Sequence, residues 1–162
     1  MNGRRMDFDT SLIYMQGLVR FGWKLGNERF SALCDAFSNP QDRYPIVHVA
    51  GTKGKGSTTA LTAAILAESG LLVGSYYSPY VYDVRERVQV TGELISRAEF
   101  AEIVSVARPV IEKIAATDLG QITEFELKTF VGFEHFKRKM VNVACIEVGI
   151  GGRLDADRKS VV

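Results

Sequence analysis

The sequence is poor in the features that mark extracellular or membrane proteins. It holds 2 cysteines, Cys34 and Cys145, both in apolar contexts and far apart, so buried free thiols in a reducing compartment are expected rather than a disulfide framework. No apolar run approaches the roughly 18 residues of a membrane span, and the polar amino terminus does not read as a signal peptide. The expected compartment is the cytoplasm, with no membrane partner. An excess of one charge is missing too: 20 Lys and Arg against 19 Asp and Glu leave a net charge of +1, which argues against a general nucleic-acid binder. His48, in a strand pattern, and His135, on a helix face that reads as exposed, are the only histidines, and neither is assigned a role.

At 162 residues and 46% hydrophobic, the chain is long enough for one domain with a real core. Its organising stretch is residues 46–59. The β-formers Ile46, Val47 and Val49 enter a loop with Gly51, Gly54 and Gly56 around Lys55, and Ser57 and Thr58 open an Ala/Leu-rich helical pattern. Strand, glycine loop and helix form a phosphate cradle: glycines let backbone N–H groups turn inward, and the helix start adds partial positive charge. Lys55 would reach the outer phosphates, and a hydroxyl at Ser57 or Thr58 would bind Mg²⁺. The match to G-x-x-x-x-G-K-[ST] is imperfect, because Val49 stands where the pattern has glycine and Gly56 where it has a hydroxyl. The bland alternative is a glycine-rich turn with a solvated lysine.

Along the chain, residues 1–9 read as disordered. Thr10 or Ser11 caps a helix bearing Leu12, Met15, Leu18 and Val19, and a second helix spans 28–37. Leu61, Ala64, Ile65 and Glu68 mark the helix after the glycine loop, which Gly70 ends. Residues 71–77 form a second strand, and this order implies a right-handed parallel crossover with the loop at the carboxyl edge of the sheet. Alternation around Thr91-Gly92 predicts a small β-hairpin. The Arg85-Glu86-Arg87 run before it suits a solvated edge strand. Ser96 with Glu99, and Thr123 with Glu126, form capping boxes for two further helices, the first kinked at Pro109. Residues 141–148 read as a buried parallel strand. Glu147 is out of place there: it faces either a metal ion or solvent past the strand end. The run from Gly149 to Leu154 is not a dinucleotide fingerprint, since Leu154 holds its sixth position.

The spelling Gly51-Thr52-Lys53-Gly54-Lys55-Gly56-Ser57 resembles the Mur-ligase superfamily, and within it the folylpolyglutamate synthase and dihydrofolate synthase family. Two further motifs agree in order and spacing: Thr123-x-Phe125-Glu126, and Glu147-Val-Gly-x-Gly-Gly-Arg-Leu-Asp155. The resemblance implies an α/β fold, the phosphate-loop-containing, mostly parallel sheet of the family's central ATPase domain, with residues 1–162 its amino-terminal portion. It implies ATP held by Gly51 to Thr58, Mg²⁺ held by Ser57, Ser78 and Glu147, and catalytic roles for Lys55 and Glu147. For folate or pterin it implies Arg87, Thr123, Phe125 and Asp155. The segment from Lys24 to Phe30 is similar to the family's Gly-x-x-Arg, a ligand contact or an ordinary helix–helix turn.

By resemblance the activity is ATP-dependent addition of L-glutamate to folate or dihydropteroate through an acyl phosphate. Family members are usually monomeric and continue into more sheet and a second domain. The chain is therefore expected to be a fragment, inactive alone and prone to self-association. The competing reading is a non-catalytic nucleotide-binding module. A phosphate-loop GTPase fits less well, because no Asn-Lys-x-Asp occurs.

Overall fold

The apolar run near residue 145 becomes the middle of the sheet. In the computed structural model, which describes residues 5–18 and 27–149, five strands, β1 (Ile46–Val49), β2 (Val73–Tyr76), β3 (Val88–Val90), β4 (Glu93–Leu94) and β5 (Val143–Glu147), form one sheet in the order β1-β5-β2-β3-β4. β5 lies between β1 and β2 and runs parallel to both, with Val49 opposite Glu147 and Tyr76 opposite Ile146. Every residue of β5 is buried, as its unbroken apolar character requires. The expected hairpin is present: Thr91 and Gly92, both at positive φ, make the two-residue turn that matches strand twist. Its strand β3 also pairs antiparallel with β2, so the hairpin extends the parallel core.

Among the described residues five α-helices flank the sheet: α1 (Phe8–Gly17), α2 (Glu28–Ala36), α3 (Lys55–Glu68), α4 (Arg97–Ala115) and α5 (Glu124–Lys139). α3 covers one face, placing Ala63, Leu66 and Ala67 against Val73, Val143 and Cys145. Leu61 and Ile65 lie on its outer side. α5 covers the opposite face and is buried from Glu126 through Phe136, since α1, α2 and α4 pack around it on the other sides.

That burial overturns the exposed reading of His135, which is only 2% exposed. Its Nδ1 lies 2.8 Å from a Glu99 carboxylate oxygen, and burial pushes its pKa down against the opposing pull of Glu99. Glu99 is thereby drawn away from the reciprocal half of its capping box, although Ser96 Oγ still accepts from its N–H at 3.1 Å. The amino-terminal segment also differs from expectation. Asp7 rather than Thr10 or Ser11 caps α1, accepting from the Thr10 N–H at 2.7 Å, and Met6 packs in the core. Residues 84–87 form a 3₁₀ turn, not an edge strand, because Asp83 and Glu86 make a reciprocal capping box at its amino-terminal end. Pro109 does not end α4.

Two glycines set the distance between α5 and the sheet. A Cβ on Gly74, in β2, would sit 2.8 Å from the Phe136 ring, and one on Gly132, in α5, would sit 3.0 Å from the Tyr76 ring. Each glycine is a socket for an aromatic ring of the other element. Gly74→Ala is therefore expected to destabilise the fold by about 2 kcal/mol, with no compensating gain in a strand. Gly132→Ala should cost less, because alanine regains about 1 kcal/mol of helix propensity. Urea unfolding of both variants checks this, and a neutral Gly74→Ala would show that the ring can yield.

Candidate functional site

Parallel strands deliver their following loops to one edge, and here the ends of β1, β2 and β5 meet there. After β1, Gly54 takes φ +73°, a left-handed turn that glycine adopts without strain, and α3 starts at the next residue. The first intrahelical bond is Thr58 N–H to Gly54 O at 2.9 Å, so the N–H groups of Lys55, Gly56 and Ser57 precede it in the helix's first turn. This is the geometry of an anion site. Gly51, Thr52, Lys53 and Gly54 are exposed, as are Ser57 and Thr58, while Lys55 and Gly56 are half-buried. Thr58 Oγ1 donates to Gly54 O at 3.0 Å. That leaves Ser57 as the hydroxyl better placed for a cation.

Glu147 ends β5 beside this loop, because its register partner is Val49, the last residue of β1. It is 5% exposed, which removes the solvent-facing alternative. Its Oε2 accepts from the Ser78 N–H at 3.0 Å and lies 3.4 Å from where a Cβ on Gly56 would be. Gly56, one of the two departures from the general phosphate-loop pattern, is what admits the carboxylate to the start of α3. Among the described residues no ion pair joins Glu147, and no group of three His, Cys, Asp or Glu side chains could hold a metal. A buried carboxylate with one backbone donor still has lone pairs to offer a cation. Mg²⁺ commonly takes only one or two carboxylates beside phosphate oxygens and waters, so this donor set fits it.

A second cluster lies on the β2–α5 side of the same edge. Arg87, 7% exposed, sets its guanidinium 5.8 Å from the Tyr76 ring centre, 5.6 Å from that of Tyr80 and 5.9 Å from that of Phe125. One terminal nitrogen donates to the Tyr76 hydroxyl at 3.1 Å, while Nε is buried without a partner. Lys128, one turn along α5 from Glu124 and paired with it, holds its ammonium 5.0 Å from the Tyr80 ring centre. Burial lowers the Lys128 pKa and the Arg87 charge lowers it further, against the pull of Glu124.

Of the residues read from sequence as folate-binding, the fold brings Arg87 and Phe125 together. The Thr123 hydroxyl is taken up by its capping box, accepting from the Glu126 N–H at 3.2 Å and donating to Glu126 Oε2 at 2.9 Å. Asp155 and Lys24 to Gly26 lie outside the described residues.

Arg29, the arginine of the Gly26-x-x-Arg29 segment, is buried and its Nε donates to Glu126 at 2.9 Å, a partner the sequence reading did not name. Two contributors escaped that reading altogether. Lys128 carries no local signal as a wall of this cluster. The Glu86 carboxylate accepts from the N–H groups of Val81, Tyr82 and Asp83 at 2.8, 3.0 and 2.9 Å, fastening the loop after Tyr80, and those bonds, Val81 first, hold its pKa down. That last feature had a signal, since Asp83-x-x-Glu86 has the capping-box spacing.

No family model matches the chain. Individual proteins do. It is 38% identical over 144 residues to a dihydrofolate synthase/folylpolyglutamate synthase of Bacillus subtilis, a match covering 88% of the chain and 34% of the relative. Among solved structures, folylpolyglutamate synthase from Thermotoga maritima superposes with a TM-score of 0.88 at 35% identity, covering 94% of this chain and 35% of that one. A folylpolyglutamate synthase–AMPPCP–folate complex superposes with a TM-score of 0.87 at 34% identity, covering 94% and 37%. The chain thus spans about a third of the length of its relatives. In sequence and fold alike, it belongs to the folylpolyglutamate synthase/dihydrofolate synthase family, of which it carries the amino-terminal part.

Proposed function

We propose that residues 1–162 are the amino-terminal portion of the ATP-binding domain of a ligase that joins L-glutamate to folate or dihydropteroate, working in the cytoplasm. The observation that carries this reading is the buried Glu147 carboxylate, held against the start of α3 and the Ser78 N–H and joined in no ion pair among the described residues. That is where a metal-bound nucleotide triphosphate belongs. The relatives' solved structures, which hold AMPPCP and folate, support both ligands. The two buried free thiols suit the compartment. No described helix is long and apolar enough to cross a membrane.

In this reading Gly51 to Thr58 cradle the phosphates with backbone N–H groups, and Lys55 places its charge on the outer ones. Ser57, Ser78 and Glu147 would hold Mg²⁺, which when bound supplies positive charge to the phosphoryl oxygens. Arg87 and Phe125 hold the pterin end of the second substrate, to which the family motifs also assign Thr123 and Asp155. Its carboxylate oxygen attacks the γ-phosphorus, the bond to ADP breaks, and an acyl phosphate forms. Lys55 stabilises the charge that moves onto the bridging and terminal oxygens. The glutamate amine then attacks the acyl carbon, phosphate leaves and the amine proton goes to solvent.

Glu147→Gln tests the reading. The amide keeps the shape and an acceptor for the Ser78 N–H but loses the charge. The Mg²⁺ concentration needed for half-maximal ATP binding should rise about tenfold, while the unfolding midpoint moves little. An unchanged Mg²⁺ requirement would return Glu147 to a purely structural role.

A further inference from the structure

Ser78 follows β2 at the edge where Glu147 and the start of α3 meet, and its own N–H is given to Glu147. Beyond it the chain runs out into solvent. Val81 and Tyr82 are largely exposed, so burial does not fix the tip of this loop; one carboxylate does. The N–H groups of Val81, Tyr82 and Asp83 all point to Glu86, which takes Val81 on Oε2 at 2.8 Å and Tyr82 and Asp83 on Oε1 at 3.0 and 2.9 Å. Successive N–H groups turned to one side make an anion nest, a concavity that in other settings receives a phosphate. Here the protein fills it with its own side chain, through charge-assisted bonds that are stronger than neutral ones.

Glu86 is itself anchored to the sheet. Its N–H donates to Asp83 O at 2.9 Å, and Gln89, in β3, donates from Nε2 to Glu86 O at 2.9 Å. The next carbonyl, Arg87 O, accepts from the Tyr77 N–H at 2.9 Å, and β3 pairs with β2. Ser78 is thereby bracketed: Tyr77 before it and residues 81–83 after it are tied to adjacent residues of one turn. We propose that Glu86 is a positioning residue for the cation site, setting where the Ser78 hydroxyl lies and acting through Ser78 rather than on the metal itself; this rests on the reading of Ser57, Ser78 and Glu147 as Mg²⁺ ligands. Mg²⁺ demands near-ideal octahedral geometry with ligands at about 2.0–2.1 Å, so a neutral hydroxyl contributes only if the backbone holds it in place. The other restraint on the loop is Tyr80, which packs against the core.

The test is calorimetric titration of this chain with AMPPCP, over a series of Mg²⁺ concentrations and in EDTA, for the wild type, Glu86→Ala, Glu86→Gln, Ser78→Ala and Glu86→Ala combined with Ser78→Ala. Glu86→Ala releases the N–H groups of residues 81–83 and should raise the Mg²⁺ concentration for half-maximal binding about tenfold, the scale on which losing a group that orients a metal ligand is felt. Glu86→Gln keeps an acceptor for Tyr82 and Asp83 but turns an amide NH₂ towards the Val81 N–H, so its rise should be about threefold. Affinity in EDTA should change less than about twofold for either variant, because the glycine loop is untouched. In the Ser78→Ala background Glu86→Ala should add about twofold or less, since the hydroxyl it would misplace is gone. Full addition of the two effects, or equal weakening with and without Mg²⁺, would overturn the inference. So would an unchanged Mg²⁺ requirement in Glu86→Ala, which would leave the packing of Tyr80 to place Ser78. A wild type that binds AMPPCP equally with and without Mg²⁺ would overturn the metal reading, and the inference with it.

Discussion

Replacing Lys55 by alanine is expected to weaken ATP binding by this chain about 10- to 100-fold, the worth of one or two charge-assisted hydrogen bonds to phosphate. Lys55 is the first residue of α3, so its charge adds to the partial positive charge of the helix start on the same ligand. Its stem runs over the loop, with Cγ 3.8 Å from where a Cβ on Gly51 would be. Removing a half-buried, largely solvated side chain costs little packing, and alanine is the better helix former, so stability should hold. The loss should shrink as salt is raised, because a partly exposed cation is screened. Titration of ATP at low and moderate ionic strength checks both points. Undiminished affinity at low salt would show that the glycine loop and helix start suffice without the lysine.

The largest expected effect on stability lies away from the nucleotide. Glu126 and Arg29 form a buried ion pair between α5 and α2, with both side chains 6% exposed. Glu126 Oε2 also accepts from the Thr123 N–H at 2.8 Å and the Thr123 hydroxyl at 2.9 Å. Glu126→Ala takes the Glu126 carboxylate from a buried guanidinium and removes half of a capping box, so it should cost about 3 to 5 kcal/mol, a large part of a typical domain's stability. The double replacement Arg29→Met with Glu126→Leu removes both charges and refills the volume. It should recover most of that loss, short of the roughly 1 kcal/mol carried by the cap. Urea unfolding of the single and double variants gives the coupling directly. A loss under about 1 kcal/mol for Glu126→Ala would mean that water reaches the guanidinium and the pair is not buried in solution.

The same residue shows how far a sequence can be read. Thr123-x-x-Glu126 announces a helix start because a capping box is made of neighbours, and the structure has that box. Nothing local announces Arg29, which lies 97 residues away. The glycine loop was legible for the same reason as the cap. The strand, the glycines, the lysine and the helix are contiguous, and each follows from backbone sterics and helix electrostatics over a few residues. β5 was legible from its apolar run, and the hairpin from Thr91-Gly92. His135 was misread because a helix with polar residues on several faces looks solvated, whereas α5 is enclosed by the sheet on one side and helices on the others, and its polar groups find partners there.

The sequence by itself therefore determined the local devices: the glycine loop that opens α3, the capped helices, the turn between β3 and β4, and a buried strand ending in a carboxylate. Only the tertiary structure decided what those devices face. Placing β5 between β1 and β2 puts Glu147 beside Gly56 and Ser78, and the packing of α5 on β2 through Gly74 and Gly132 brings Arg87 among Tyr76, Tyr80 and Phe125. Strand order and helix approach depend on contacts between residues distant in the chain, which no short-range pattern encodes, and the chemistry of the site is made by those contacts.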